Sequence, residues 1–319
     1  MKSQASSLIS IVTCFYNEEA VVDAFFAATI PILESINGCN FEIVCVDDGS
    51  TDDTLQKLLT HQARDTRLRI IELSRNFGKE SALTAGIEHA QGDAIIPIDA
   101  DLQDPPELIP KMVDIWHQGI EVVLAKRKDR SSDSYFKKKT AELFYRINNR
   151  LSSTNLPENV GDFRLMDRVV IDALKQFPER QRFMKGLFAW VGFRSSVIEY
   201  MRKPRHAGTG KFSAWGLWNL ALEGITSFTS LPLRIWTYIG LSGAFAALVY
   251  AGFIIFLALR QGIDVPGYAS LLVVILLMGS MHFISIGLLG EYIGRIYIES
   301  KQRPIYLIRK IHQQKTDES

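Results

Sequence analysis

Gly92-Asp93-Ala94-Ile95-Ile96-Pro97-Ile98-Asp99-Ala100-Asp101-Leu102-Gln103-Asp104-Pro105-Pro106 is the stretch on which the fold turns. Ala94 to Ile98 is an apolar run of strand length, and it ends in two carboxylates at i and i+2. Pro105-Pro106 stiffens the exit and predicts a helix starting at Glu107. Leu8 to Cys14, Phe41 to Val46, Leu68 to Leu73 and Val122 to Ala125 read as further strands. Ala20 to Ile36, Thr51 to His61 and Lys79 to Ala90 have helical length and spacing, with Ser50 as an N-cap and Asp53 three residues on. The alternation predicts an α/β fold with a mostly parallel sheet. In such sheets ligands sit beyond the carboxyl ends of the strands. Asp47 and Asp48 end the second predicted strand, and Asp99 and Asp101 the fourth, so these distant residues meet at one rim. After Ala125 the alternation weakens, and a polar, basic region runs to about Arg205.

A D-x-D triplet alone is often an ordinary solvated loop; its place after a strand selects the functional reading. Asp99 and Asp101 offer hard oxygen ligands, and Gln103 adds a neutral one, which suits Mg²⁺ or Mn²⁺ held together with phosphate oxygens. In Asp47-Asp48-Gly49-Ser50 a carboxylate can accept from a base N–H or a ribose hydroxyl, while glycine lets the backbone come close. A helix-capping turn is compatible with that role. Gly78-Lys79 is not a nucleotide-triphosphate P-loop, because Leu73 stands where the first glycine belongs and Glu80 where Ser or Thr would hold magnesium.

Composition adds a membrane element. Ile235 to Leu259 and Val265 to Gly290 contain no charged residue. Each run is roughly 25 residues, enough at ~1.5 Å per residue to cross a ~30 Å hydrocarbon layer. Arg202, Lys203, Arg205, Lys211 and Arg234 precede the first run, and Arg295, Lys301, Arg303, Arg309 and Lys310 follow the second. The connecting loop has only Arg260, offset by Asp264, so both ends are expected in the cytoplasm. Gly208 to Ser230, with Phe212, Trp215, Trp218 and Phe228, reads as an amphipathic segment on the membrane surface, or else as a packed helix. The apolar run Leu8 to Phe15 is too short for a cleavable signal and leads straight into Asn17, Glu18 and Glu19. Cys14, Cys39 and Cys45 lack paired metal-ligand spacing and read as buried thiols. With 36 Lys+Arg against 35 Asp+Glu, the chain has no charge excess for nucleic acid.

Taken in order, Val12-Thr13-Cys14-Phe15-Tyr16-Asn17-Glu18-Glu19, Asp47-Asp48-Gly49-Ser50 and Asp99 to Pro106 resemble the motifs of family 2 glycosyltransferases of GT-A fold. Gly161-Asp162-Phe163-Arg164-Leu165 and Gly287-Leu288-Leu289-Gly290-Glu291-Tyr292-Ile293-Gly294-Arg295 narrow the resemblance to polyprenyl-phosphate glycosyltransferases. That group includes dolichol-phosphate mannose synthases, and the two-span ending is most like the bactoprenol glucosyltransferase type. Cys14 departs from the proline frequent there.

The resemblance implies a GT-A, Rossmann-like catalytic domain over 1–205, followed by membrane-surface helices and two transmembrane α-helices. The segments expected are an interfacial stretch 206–231, spans 232–260 and 268–295 around an external loop 261–267, and a cytoplasmic tail 296–319. It implies that Tyr16, Glu18, Asp47, Asp48 and Asp99 bind the nucleotide-sugar, and that Asp99, Asp101 and Gln103 hold Mg²⁺ or Mn²⁺; Arg127, which follows a predicted strand at the same rim, is a further candidate cation for the donor. Asp162 and Asp101 would act at the reacting centre. Arg182 and Lys211 precede the spans and are candidates for holding a lipid phosphate, with snorkelling or phospholipid contact as the other reading. The reaction expected is inverting transfer of glucose from UDP-glucose to undecaprenyl phosphate at the plasma membrane, for O-antigen or other envelope glycans. Mannose from GDP-mannose or a UDP-linked aminosugar remains an alternative donor, and a silent nucleotide-sugar-binding scaffold an alternative class. A homo-oligomer, a tetramer by resemblance, and a separate flippase and downstream transferase are expected partners. A processive synthase is disfavoured, since the chain lacks a clear Gln-x-x-Arg-Trp sequence.

Overall fold

The computed structural model describes residues 7–128, 159–177, 179–180, 184–201 and 267–313, with scattered positions between 236 and 260. β1 (Ser7–Phe15), β2 (Cys39–Asp47), β3 (Leu68–Leu73) and β4 (Ala94–Pro97) alternate with α1 (Val22–Glu34), α2 (Thr54–Gln62) and α3 (Lys79–His89). A 3₁₀ turn at Pro106–Leu108 leads into α4 (Ile109–His117) and β5 (Val122–Arg127). These elements lie within a few residues of their expected ends. β1 pairs in parallel with β2 and β4, and β2 with β3. Strands this apolar on both faces need helices on both sides. α1, α2 and α4 cover one face around Phe15, Phe25, Phe26 and Trp116. α3 and the helices Arg168–Lys175 and Met184–Trp190 cover the other. α3 lies so close to β1 that a Cβ on Gly86 would fall 2.4 Å from Val12 Cγ1.

The region expected to lose its alternation instead supplies strands. β6 (Val160–Asp167) inserts between β4 and β5, antiparallel to both, and β7 (Ser195–Tyr200) pairs in parallel with β5. β8 (Ile308–His312) lies antiparallel on β3 and completes the order β7-β5-β6-β4-β1-β2-β3-β8. The sheet is α/β and mostly parallel, as expected, with β6 and β8 as the antiparallel members.

The helix Tyr268–Ser300 overlaps the expected second span and extends past it. Its C-terminal end is tied to the α/β body where the Arg180 N–H donates to Glu299 Oε1 at 2.9 Å. Further along, the Tyr306 hydroxyl donates to Glu88 at 2.6 Å, and Arg309 and His312 both contact Glu72. Among the described residues no helix is long and apolar enough to cross a membrane. The expected first span, 232–260, lies largely outside the described residues, as do several side chains of the second. The two-span expectation therefore gains no support from the described residues.

Candidate functional site

Strand direction decides which side chains gather at the carboxyl rim. β1, β2 and β4 end there at Phe15, Asp47 and Pro97. Because β6 runs antiparallel to β4, it is the start of β6, with Asp162, that reaches the same rim. Opposite it in register, β5 brings Lys126 and Arg127, and β7 brings Tyr200.

The first loop and the aspartate loop are stitched together. The Asn17 N–H donates to Ser50 Oγ at 3.0 Å, Thr51 N–H to Asn17 Oδ1 at 2.8 Å, and Glu18 N–H to Thr54 Oγ1 at 2.9 Å. Ser50 thus accepts from the neighbouring loop through its Oγ. It is not the N-cap of α2, which starts at Thr54 with Asp53 in the cap position. Tyr16 remains 37% exposed at the rim.

Asp47 and Asp48 reach the rim but are buried. Asp48 accepts the Phe77 N–H at 2.7 Å on one oxygen and the Gly78 N–H at 2.9 Å on the other. Asp48 is thereby the tether of the turn before α3, a role beyond the nucleotide contact expected of it. Asp47 Oδ2 accepts the Ser50 N–H at 3.2 Å, and its Oδ1 is buried with no hydrogen-bond partner. Burial pushes both carboxyls up; for Asp48 the two loop amides work against that shift.

At the centre, Lys79 Nζ lies 2.6 Å from Asp99 Oδ1 and 3.0 Å from Asp162 Oδ2. Lys79 follows Gly78, whose φ of 94° is open to glycine at little cost. Burial disfavours the charged amine, but the Asp99 and Asp162 carboxylates outweigh it and hold Lys79 protonated above the ordinary lysine range. Sequence reasoning tested Gly78-Lys79 only against the P-loop and missed this lysine. The signal it left was a cation on the first turn of a helix entering the acidic rim.

Asp101 Oδ1 accepts the Gln103 N–H at 3.1 Å, across Leu102 at a left-handed φ of 56°. Beyond it Asp104, which is buried, accepts a hydrogen bond from the Tyr200 hydroxyl. Arg127 Nε donates to the same hydroxyl at 3.3 Å. Burial and the Asp104 carboxylate push the Tyr200 phenol up to about 12. The metal-type loop, β5 and β7 are joined through this buried network, in which Asp104 and Tyr200 were not foreseen. Tyr200→Phe removes one partner of a buried carboxylate and should cost about 1–3 kcal/mol. Thermal unfolding checks this; an unchanged midpoint would show that the network does not hold the strands.

Arg164, two residues from Asp162 on the same face of β6, is also buried. It donates to the Gly161 carbonyl at 2.6 Å and lies over the Phe188 ring at 4.3 Å. Burial pulls it down to about 10, against the field of Asp162. Cys14 and Cys39 are partly buried, Cys45 is fully so, and all three are free thiols. Arg182 and Lys211 lie outside the described residues.

Residues 10–175 match the family model described as glycosyl transferase family 2. The chain belongs to glycosyltransferase family 2. Residues 231–296 of this family 2 glycosyltransferase also match a model described as the GtrB C-terminal hairpin. An uncharacterised glycosyltransferase of Synechocystis sp. is 50% identical over 300 residues, 94% of each chain. A prophage-derived bactoprenol glucosyl transferase of Shigella flexneri is 50% identical over 304 residues, covering 95% of this chain and 98% of its own. A prophage bactoprenol glucosyl transferase homolog of Escherichia coli K12 is 50% identical over 303 residues, 95% of this chain and 99% of its own.

Among the described residues no group of three or more His, Cys, Asp or Glu side chains converges as a metal cage. Asp99, Asp101 and Gln103 instead give two carboxylates and an amide oxygen, the partial set that Mg²⁺ or Mn²⁺ completes with phosphate oxygens. Asp99 already holds an ammonium at 2.6 Å, so its position accepts a cation. The residues fit the ion.

Proposed function

We propose that this glycosyltransferase moves glucose from UDP-glucose to undecaprenyl phosphate, with Mg²⁺ or Mn²⁺ as cofactor. The observation that carries the reading is the convergence of Lys79, Asp99 and Asp162 at the carboxyl rim, beside the Asp101–Gln103 loop. The 50% identity to the bactoprenol glucosyl transferase of Shigella flexneri supports the acceptor and the sugar.

In this reading Tyr16, Glu18 and Asp47 lie on the nucleotide side, and Asp99, Asp101 and Gln103 would hold the ion. When bound, the ion supplies Lewis-acid stabilisation of the charge growing on the departing diphosphate. Arg127, fixed by Tyr200, aims a positive charge at the same rim, where it is worth most as the bond breaks. The acceptor phosphate, with a second pKa of ~6, is largely dianionic at neutral pH and needs no strong base. Asp162 therefore orients Lys79 and the acceptor. Attack opposite the diphosphate inverts the anomeric centre.

In this reading the charge-free runs within 232–260 and 268–295 are the membrane-associated part of the sequence, with the flanking basic residues kept on the cytoplasmic side. Leu271, Ile275, Phe283, Ile286 and Ile293 are exposed along the second helix, an apolar surface that a lipid phase would cover. Arg182 and Lys211 precede these runs in sequence and are the cations offered for the lipid phosphate.

The test is incubation of the purified full chain with undecaprenyl phosphate, Mn²⁺ and a panel of labelled UDP- and GDP-sugars, with mass spectrometry of the lipid fraction. A lipid-linked hexose from UDP-glucose is expected. Product from GDP-mannose or a UDP-aminosugar alone would replace the donor, and no lipid-linked sugar from any donor would overturn the reaction.

A further inference from the structure

Lys79 sits where the reading above puts the metal and the diphosphate. Its ammonium is 2.6 Å from Asp99, a carboxylate assigned to the ion, and 3.0 Å from Asp162. A divalent cation and an ammonium cannot share one carboxylate at these distances without strong repulsion. The ammonium end is desolvated between the two carboxylates, while 48% of the side chain as a whole stays exposed, so the stem is not locked by packing along its length. Its backbone has no room to turn, because Asp48 accepts the Gly78 N–H immediately before it and the Phe77 N–H before that.

We propose that Lys79 is a built-in counter-cation for the donor site. With no donor bound it neutralises Asp99 and Asp162. When the nucleotide diphosphate arrives, Lys79 swings from Asp99 to the phosphates, staying beside Asp162, and leaves Asp99 to the metal. The lysine therefore opposes metal binding to the empty enzyme and favours it once a diphosphate is present. Metal and donor load together, and the empty site does not hold a stray divalent ion. The inference rests on the metal reading of Asp99, Asp101 and Gln103.

The test needs no turnover. Mn²⁺ binding to the full chain in detergent is measured by the loss of the free-ion paramagnetic resonance signal, with and without UDP, for wild type, Lys79→Met and Lys79→Arg. UDP binding without metal is measured by calorimetry. Without UDP, Lys79→Met should bind Mn²⁺ roughly tenfold more tightly than wild type, a typical size for coupling between sites. Lys79→Arg, which keeps the charge, should stay near wild type. Lys79→Met should also bind metal-free UDP more weakly.

If wild type and Lys79→Met both bind Mn²⁺ with UDP but agree within about twofold without it, the counter-cation role is overturned and the metal reading stands. If neither binds Mn²⁺ even with UDP, the metal reading falls and takes the inference with it. A thermal melt verifies folding. Lys79→Gln, which also removes the charge, carries the same comparison should the methionine variant unfold.

Discussion

Asp101→Asn is expected to lower transfer about 10²–10³-fold, the usual consequence of removing one electrostatic stabiliser from a transition state. The substitution is nearly isosteric. Asp101 Oδ1 accepts the Gln103 N–H, and an asparagine carbonyl can accept the same bond, so the left-handed turn at Leu102 keeps its support. What disappears is a negative charge facing the incoming cation. The loss should therefore fall on turnover, with the thermal midpoint close to wild type. The check is the rate of lipid-linked sugar formation at saturating donor, alongside a melt. Activity within threefold of wild type would remove Asp101 from the metal set, and a collapsed midpoint would show that the loop needs the charge to fold.

Gly49→Ala should be strongly destabilising. Gly49 has φ 69°, and a Cβ there would lie 2.5 Å from the Arg75 carbonyl carbon and 2.7 Å from the Asn76 nitrogen. Those neighbours are backbone and cannot rotate away. The left-handed conformation costs alanine about 1–2 kcal/mol, and forcing the two loops apart about 1–3 more. Gly38→Ala isolates the second contribution, since Gly38 has φ 77° with nothing within 4 Å of a Cβ. Chemical or thermal denaturation should show Gly49→Ala losing about 2–5 kcal/mol and Gly38→Ala only the conformational part. Equal losses would refute the close approach of the loops. Activity should fall as well, because the displaced turn carries Gly78 and Lys79.

How far the sequence could be read follows from where burial and chemistry agree. β1 to β5 were legible because apolar runs buried on both faces, such as Ile43 to Val46, leave an unbroken signal. The rim position of Asp99 and Asp101 followed from strand direction alone. β6 was hidden because Asp162 and Arg164 place charges within the strand, so its pattern mimics a polar loop. β8, Ile-Arg-Lys-Ile-His, is a short edge strand with three polar residues, and only the pairing with β3 reveals it. Lys79 escaped because its partners lie about 20 and 83 residues away in the chain, a proximity that only the packing of α3 against the sheet creates. The tethering role of Asp48 was not legible, since its two backbone partners belong to a turn that no local pattern announces.

β8 also bears on biosynthesis. The outer edge of β3 waits for residues 308–312, so nearly 240 residues must be made between the two partners of one pair. Until then that edge presents unsatisfied amides and carbonyls, the state in which a strand pairs with whichever chain is near. Contacts this distant in sequence form late. The α/β body must therefore hold its shape with one side unsealed while the apolar helix is made, and β8 then closes it, with Gln62 and Glu72 bonding His312 at the seam.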